Sequence, residues 1–329
     1  MNIRMATVGT SSIVHRFAKA AAPVPGLDLV GAYSRDTGRG ETLARDLGME
    51  WSTSDWQGLL SDDRCDALYI ASPNLVHVDQ TREALKAGKH VLVEKPASPT
   101  ADEWQQLVGL ARDQGLVLLE EMRPAHDPGT AEIVRLLPEV GTIRRASLDY
   151  TQRSARYDLV VAGEYSAIFD PALAGGSLYD LGVYTVSQLI RLFGEPDDLM
   201  AVDVEIASGS DGLGLVLATY SGGSGQPGSG FIVDIGYSKI TRTDRGSEIQ
   251  GEAGSLLIDH IADPRVLTLT RVDGPVERIE VTKVPDTITN MVEHFVACVG
   301  GEADPAEDQE RTAATLRTMD RIRDVRKRV

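Results

Sequence analysis

Three residues of this chain carry side chains suited to moving a proton from an alcohol while a hydride leaves its carbon: Lys95, Asp180 and Tyr184. Together they offer a cation, a carboxylate and a phenol. Free Tyr titrates at about 10 and free Lys at about 10.4, and a nearby ammonium favours phenolate, bringing the phenol toward working pH. Asp180 and Tyr184 are four apart, which puts them on one face of a helix running from about Ser177 to Phe193. Taken alone, Tyr184 also fits a core-facing aromatic, and Asp180 a cap or an ion-pair partner. Lys95 follows the run His90-Val91-Leu92-Val93-Glu94 and precedes Pro96. Its apolar residues predict a buried strand of a parallel sheet, and the proline restricts the backbone of Lys95. Open α/β sheets bind ligands outside the carboxyl ends of their strands, where Glu94 and Lys95 fall. A surface lysine closing a strand is the competing reading.

The elements that must position these residues alternate strand with helix from 3 to 121, which predicts a parallel, doubly wound sheet. Residues 3–8 read as a strand, Gly9-Thr10-Ser11-Ser12 as a tight turn, and 13–22 as a helix beginning at Ile13. That context suits a dinucleotide phosphate, with backbone N–H groups at the helix start. Ser11 stands where the second Gly of GxGxxG would be and Val14 where the third would be; the hydroxyls of Ser11 and Ser12 are alternative donors. The second strand, 27–33, ends in Ser34-Arg35-Asp36, with Arg39 beyond. An acid there selects the ribose of NAD and an Arg the 2′-phosphate of NADP. Ser34 in the first position, with Arg35 and Arg39 following, points to NADP(H) rather than NAD(H); Asp36 is the competing acid, though it fits a helix cap better. A strand at 66–71 leads into Ser72-Pro73-Asn74 and a helix from about 75 to 87, with His77 in its first turn and a packing role as its alternative. Further expectations are a short strand at 49–51, a short helix capped by Ser54, a capping box from Thr100 to Glu103 opening helix 101–114, and a strand at 116–121.

Beyond Arg123 the pattern changes to an α+β half with a large, mainly antiparallel sheet. A helix at 127–137 precedes a strand at 142–152, and the irregular stretch 153–174 reads as a wall of the site. Strands follow near 198–207, 213–221, 230–240, 246–251, 255–260, 266–272 and 276–282, then helices at 286–300 and 304–327. Gly222–Gly230 reads as a hairpin loop. The expected domains are 1–123, binding the dinucleotide, and 124–329, binding substrate and building the oligomer.

The glycine-poor phosphate turn, Ser72-Pro73-Asn74 with His77, Glu94-Lys95-Pro96, and the run Gly175-Gly176-Ser177-Leu178-Tyr179-Asp180-Leu181-Gly182-Val183-Tyr184 resemble the glucose–fructose oxidoreductase/inositol dehydrogenase/rhizopine catabolism family over essentially the whole chain. The resemblance implies a nicotinamide cofactor, a sugar, polyol or dihydrodiol substrate, and homodimers or homotetramers joined through the open sheet. It maps the catalytic groups onto Lys95, Asp180 and Tyr184. Tyr184 in place of the more usual His resembles the branch of dimeric dihydrodiol and xylose dehydrogenases. The implied cofactor contacts are Gly9, Thr10, Ser11, Ser12, Ile13, Ser34, Arg35, Arg39, Ser72, Pro73, Asn74, His77, Glu94, Lys95 and Arg123. Alternatives of other classes are a sensor of cofactor or sugar without turnover, and a glycosidase that uses NAD on the same fold. A GxSxG elbow, an HExxH and metal-ligand spacing of His are absent from the sequence, so no metal is expected.

The net charge of −16 disfavours nucleic acid and anionic membrane as partners. The exception is the basic run Arg321, Arg323, Arg326, Lys327 and Arg328, read as cations at a helix C-terminus. Cys65 and Cys298 are lone thiols, the first residues enter a strand directly, and no apolar run reaches membrane-spanning length. The expected location is the cytoplasm.

Overall fold

Short apolar runs bounded by turns fold as buried strands, and amphipathic runs between them as the covering helices. The computed structural model describes residues 2–222 and 229–329. They divide into two compact units, 1–123 with 284–313 and 124–283 with 314–329. A division at 123/124 alone would have left 284–313 in the second half; the structure gives it to the first.

The first unit is built on strands β1 (Ile3–Val8), β2 (Leu27–Tyr33), β3 (Trp51–Thr53), β4 (Ala67–Ile70), β5 (His90–Glu94) and β6 (Leu118–Glu121). All pair in parallel, in the order β3-β2-β1-β4-β5-β6. The order reverses between β1 and β4, so the turns after these two strands frame the switch point where such sheets bind ligands. Helices α1 (Ser12–Ala21), α2 (Thr37–Leu47), α3 (Trp56–Leu60), α4 (His77–Lys86) and α5 (Ala101–Gln114) connect them. Asp36 caps α2 by accepting from the Arg39 amide at 3.0 Å, and Thr100 caps α5 through the Glu103 amide. The short α3 is capped by Asp55, which accepts from Gly58, and not by Ser54 as expected. A 3₁₀ turn, Asn74–Val76, precedes α4, so the expected single helix is two pieces.

Later in the chain, α9 (Ile288–Val299) explains why 284–313 belongs here. Its Ile288, Met291, Val292 and Phe295 are buried in one cluster with Val14 and Phe17 of α1. Phe17 stacks on Tyr69 with ring centroids 3.6 Å apart. Burying a side chain of this size is worth about 1.5–3 kcal/mol, enough to decide which half an amphipathic helix joins.

The second unit is a nine-stranded sheet, order β14-β13-β12-β11-β7-β10-β9-β8-β15. Its strands are β7 (Ile143–Thr151), β8 (Asp198–Glu205), β9 (Asp211–Tyr220), β10 (Phe231–Ser238), β11 (Ser247–Gly251), β12 (Gly254–Ile258), β13 (Val266–Arg271), β14 (Val276–Glu280) and β15 (Lys327–Arg328). Pairing is antiparallel except β7 with β10 and β8 with β15. The two-residue β15 follows α10 (Ala306–Val325), which ends two residues before the expected helix end at 327. The loop expected at 222–230 lies mostly outside the described residues. Helices α6 (Pro128–Leu136) and α8 (Val183–Phe193) bury Ile133, Val186 and Leu189, while α7 (Tyr157–Val161) sits in the stretch expected to be irregular. Along β8 the alternation is clean: Leu199 and Ala201 are buried, Met200 and Val202 exposed.

Candidate active site

Within the first unit, β5 delivers Lys95 on a turn held from three sides. Glu94 is buried, accepts from the Tyr69 hydroxyl at 2.5 Å, and accepts from the Lys95 amide at 3.3 Å. Glu120 of β6 accepts from the Ala97 amide at 2.9 Å and from the Thr312 hydroxyl at 3.1 Å. His77 places Nδ1 2.9 Å from the Pro96 carbonyl and Nε2 2.8 Å from the Ser72 carbonyl. Burial lowers the His77 pKa, while the contacts to the Pro96 and Ser72 carbonyls pull it back up. Burial also pushes Glu120 up to about 7 and raises Glu94. Glu121, opposite Glu94 in the ladder, is raised well above its usual range by burial first and by the Glu94 charge second. Burial thus works against the charged form of all three acids near the Lys95 turn. Arg123, close to both Glu94 and Glu121, pulls against this.

His77 and Glu94, expected among the cofactor contacts, are therefore turned inward. With no exposed surface and both ring nitrogens on carbonyls, His77 braces the Lys95–Pro96 turn against Ser72. The Ser72 hydroxyl is itself taken, donating to Gln80 at 2.6 Å. Glu120 and Glu121 were missed from the sequence. Their signal was a charged pair closing an apolar strand, the same signal that singled out Glu94-Lys95.

At the switch point, Gly9 has φ +114, and a Cβ there would stand 2.6 Å from the Ala71 carbonyl oxygen. Only glycine lets the turn after β1 lie against the end of β4. Ser11 precedes α1 in an extended conformation and its side chain makes no cap hydrogen bond, while Ser11 and Ser12 are exposed. An uncapped helix start with two exposed hydroxyls fits a phosphate. Beside it, a cleft of about 360 Å³ is lined by Thr10, His15, Asp36, Gly38 and Arg39 among others. Ser34 is buried and accepts from the Asp36 amide at 3.2 Å, while Arg35 is exposed. His15, one turn into α1, faces this cleft and was not anticipated. A dinucleotide fits this donor set. Ile13 is the second residue of α1, and Pro73 and Asn74 open the 3₁₀ turn after β4.

Within the second unit, residues 178–182 form a π-helical turn that runs into α8, where a regular helix was expected. The wider turn keeps residues four apart near one face, so Asp180 and Tyr184 remain neighbours in direction. Asp180 accepts from the Lys239 ammonium. Lys239 follows β10, its side chain is only 3% exposed, and its ammonium lies 5.2 Å from the Phe169 ring centroid. Asp180 is 41% exposed, so a buried cation holds it while the carboxylate still reaches solvent. The Tyr184 ring centroid lies 5.6 Å from that of Tyr150, which also meets the His260 ring edge-on at 4.7 Å. Lys239 and Tyr150 were also missed. A lone lysine after a strand and a tyrosine within one carry no local signal of a site.

The residues 3–122 match the model of the oxidoreductase family with an NAD-binding Rossmann fold, and residues 138–257 match the C-terminal domain model of the same GFO/IDH/MocA family. Over 98% of its length the chain is 34% identical to the scyllo-inositol 2-dehydrogenase (NADP(+)) of Bacillus subtilis, covering 96% of that protein. The chain belongs to the GFO/IDH/MocA family. Another GFO/IDH/MocA relative is D-xylose 1-dehydrogenase (NADP(+)) 2 of Haloferax volcanii, 28% identical over 96% of this chain and 94% of that one. In fold, the chain is similar to a 3-ketoreductase from Actinomadura kijaniata solved with TDP-benzene and NADP. The TM-score is 0.86 at 23% identity, with 100% of this chain and 99% of that one covered.

Proposed function

We propose that this protein is an NADP-dependent oxidoreductase that moves a hydride between the nicotinamide and a secondary alcohol or carbonyl of a sugar or polyol. What carries the reading is that Lys95, Asp180 and Tyr184 are all present in a chain matching an NADP-dependent inositol dehydrogenase over 98% of its length. A sensor without turnover has no need of such a set. The relatives named above are dehydrogenases and a ketoreductase, which favours turnover.

By residue type the roles divide as follows. The start of α1 and the turn Gly9–Ser12 hold the pyrophosphate, with backbone amides as donors. Arg35 and Arg39 take the ribose phosphate that distinguishes NADP(H) from NAD(H). The bound cofactor supplies hydride acceptance or donation. Tyr184 suits exchange of the proton of the reacting hydroxyl, Lys95 the supply of positive charge during hydride transfer, and Asp180, gripped by Lys239, acceptance of a hydrogen bond from the substrate. The division of labour is dinucleotide to the first unit and substrate to the second.

Assembly as a homodimer or homotetramer is part of the same proposal. Met200, Val202, Leu215 and Ile232 are 60%, 43%, 60% and 42% exposed on the outer face of β8, β9 and β10. Val202 and Leu215 are cross-strand partners, so the apolar surface is continuous. Both cysteines are free and buried, and no described helix is long and apolar enough to cross a membrane. A reducing compartment such as the cytoplasm suits such thiols.

The reading is tested by incubating the protein with NADP(+) and a panel containing scyllo-inositol, D-xylose and dihydrodiols, following reduced cofactor by absorbance. Reduction with at least one polyol or sugar is expected, faster with NADP(+) than NAD(+). Binding of NADP(H) without turnover on any member, in either direction, contradicts it.

A further inference from the structure

The basic run near residue 326 is a sequence feature that the proposed chemistry leaves unused, and the structure folds it into the second unit. Arg328 and Lys327 form β15 beside β8, and the Val329 amide donates to the Asp203 carbonyl at 2.9 Å. This places the Arg326 guanidinium over two buried acids. Its Nη1 is 3.1 Å from Asp203 and 3.9 Å from Asp211, which are 1% and 5% exposed. Asp211 accepts from the Leu178 amide at 2.6 Å, at the first residue of the π-helical turn that carries Asp180. Its other carboxylate oxygen fills the space a Cβ on Gly176 would need, at 2.3 Å, and Gly176 has φ +127. Glycine at 176 is thus required by the approach of Asp211. Arg323 adds a second hold, donating to the Tyr179 hydroxyl at 2.7 Å.

Two acids buried side by side are unfavourable without a cation. Burial pushes the Asp211 carboxyl up to about 6, with the Leu178 amide and the Arg326 charge pulling it back. Loss of Arg326 favours a neutral Asp211, whose hydrogen bond to Leu178 is weaker. We propose that Arg326 is a positioning residue: through Asp211 it fixes the start of the turn that carries Asp180 and leads to Tyr184, and so governs turnover without touching substrate. The part concerning turnover rests on the oxidoreductase reading.

The experiment is hydrogen exchange by mass spectrometry on the full chain, for wild type, Arg326→Gln and Arg326→Lys. Peptides covering 176–184 should exchange about tenfold faster in Arg326→Gln, with β9 and β10 unchanged, and Arg326→Lys should restore most of the protection. NADP(H) binding should be unchanged, and with any active substrate kcat should fall about tenfold while KM for the cofactor stays constant. Should Arg326→Gln fail to fold, Asp211→Asn, nearly isosteric and uncharged, is read the same way. Unchanged exchange at 176–184, or Arg326→Lys exchanging as fast as Arg326→Gln, overturns the proposal. Exchange needs no substrate: a wild type that turns nothing over counts against the oxidoreductase reading, while the exchange result still decides the role of Arg326.

Discussion

Asp180 is the residue whose surroundings the sequence hid most completely. A carboxylate four before Tyr184 was legible through the motif, but the ammonium beside it comes from Lys239, far along the chain, where Ser238-Lys239-Ile240 looks like any strand end. Because Asp180 is 41% exposed, water can solvate it when the lysine is removed. Lys239→Met is therefore expected to cost only about 1–2 kcal/mol of stability, below the roughly 3–5 kcal/mol of a fully buried pair. Turnover should fall about tenfold or more, because a carboxylate released from its partner no longer presents one geometry. Thermal unfolding beside kcat separates the two, and a variant with wild-type kcat would assign Lys239 to packing alone. Cofactor choice also belongs at this scale. Arg35 is exposed beyond β2, and a charge-assisted hydrogen bond to phosphate makes Arg35→Ala cost about 1–3 kcal/mol in NADP(H) binding. NAD(H) binding should not change. Equal losses for both cofactors would remove Arg35 from the phosphate.

Among the elements, the turn after β5 shows how a strand end is made rigid. Apolar residues in a row announced the strand, and Pro96 announced its end. What fixes the turn is contributed by α4, β4 and β6 through His77, Tyr69 and Glu120, which sequence spacing does not reveal. Glu120 has a measurable consequence. Its folded pKa of about 7 lies above its ordinary value of 4.5, so its contribution to stability is fully present below 4.5 and is lost as pH rises through 7. Glu120→Gln keeps an acceptor for the Ala97 amide and cannot ionise. The stability of the variant relative to wild type should therefore improve between pH 5 and pH 8, by about 1–3 kcal/mol. Urea unfolding at the two pH values measures it, and a difference independent of pH would show that Glu120 ionises freely in the folded protein. Parallel strands were easy to read because burial on both faces makes them continuously apolar. The π-helical turn at 178–182 had no such mark, since its composition is that of an ordinary helix.

For the whole molecule, the α/β and α+β halves were legible from the change in periodicity near Arg123, while the placement of 284–313 was not. The apolar face of α9 predicts that it is buried, and only Phe17 and Val14 decide against what. The sheet of the second unit makes a prediction of its own. An outer face with Met200 and Leu215 each 60% exposed is expected to be covered by another copy, giving by light scattering a mass that is a multiple of 35.5 kDa. Met200→Glu with Leu215→Glu should shift the protein toward monomer by placing charges in that surface. A wild-type mass of 35.5 kDa at micromolar concentration refutes assembly through this face.

The proposed chemistry stands or falls on Tyr184. Once an active polyol or sugar is in hand, kcat and NADP(H) affinity are measured for wild type and Tyr184→Phe under conditions where chemistry limits the rate. A positioned acid–base group is worth about 10²–10⁴ in rate, so kcat should fall by that order with cofactor affinity unchanged. Near wild-type kcat in Tyr184→Phe would make Tyr184 an aromatic packed beside Tyr150 and hand the proton to another group.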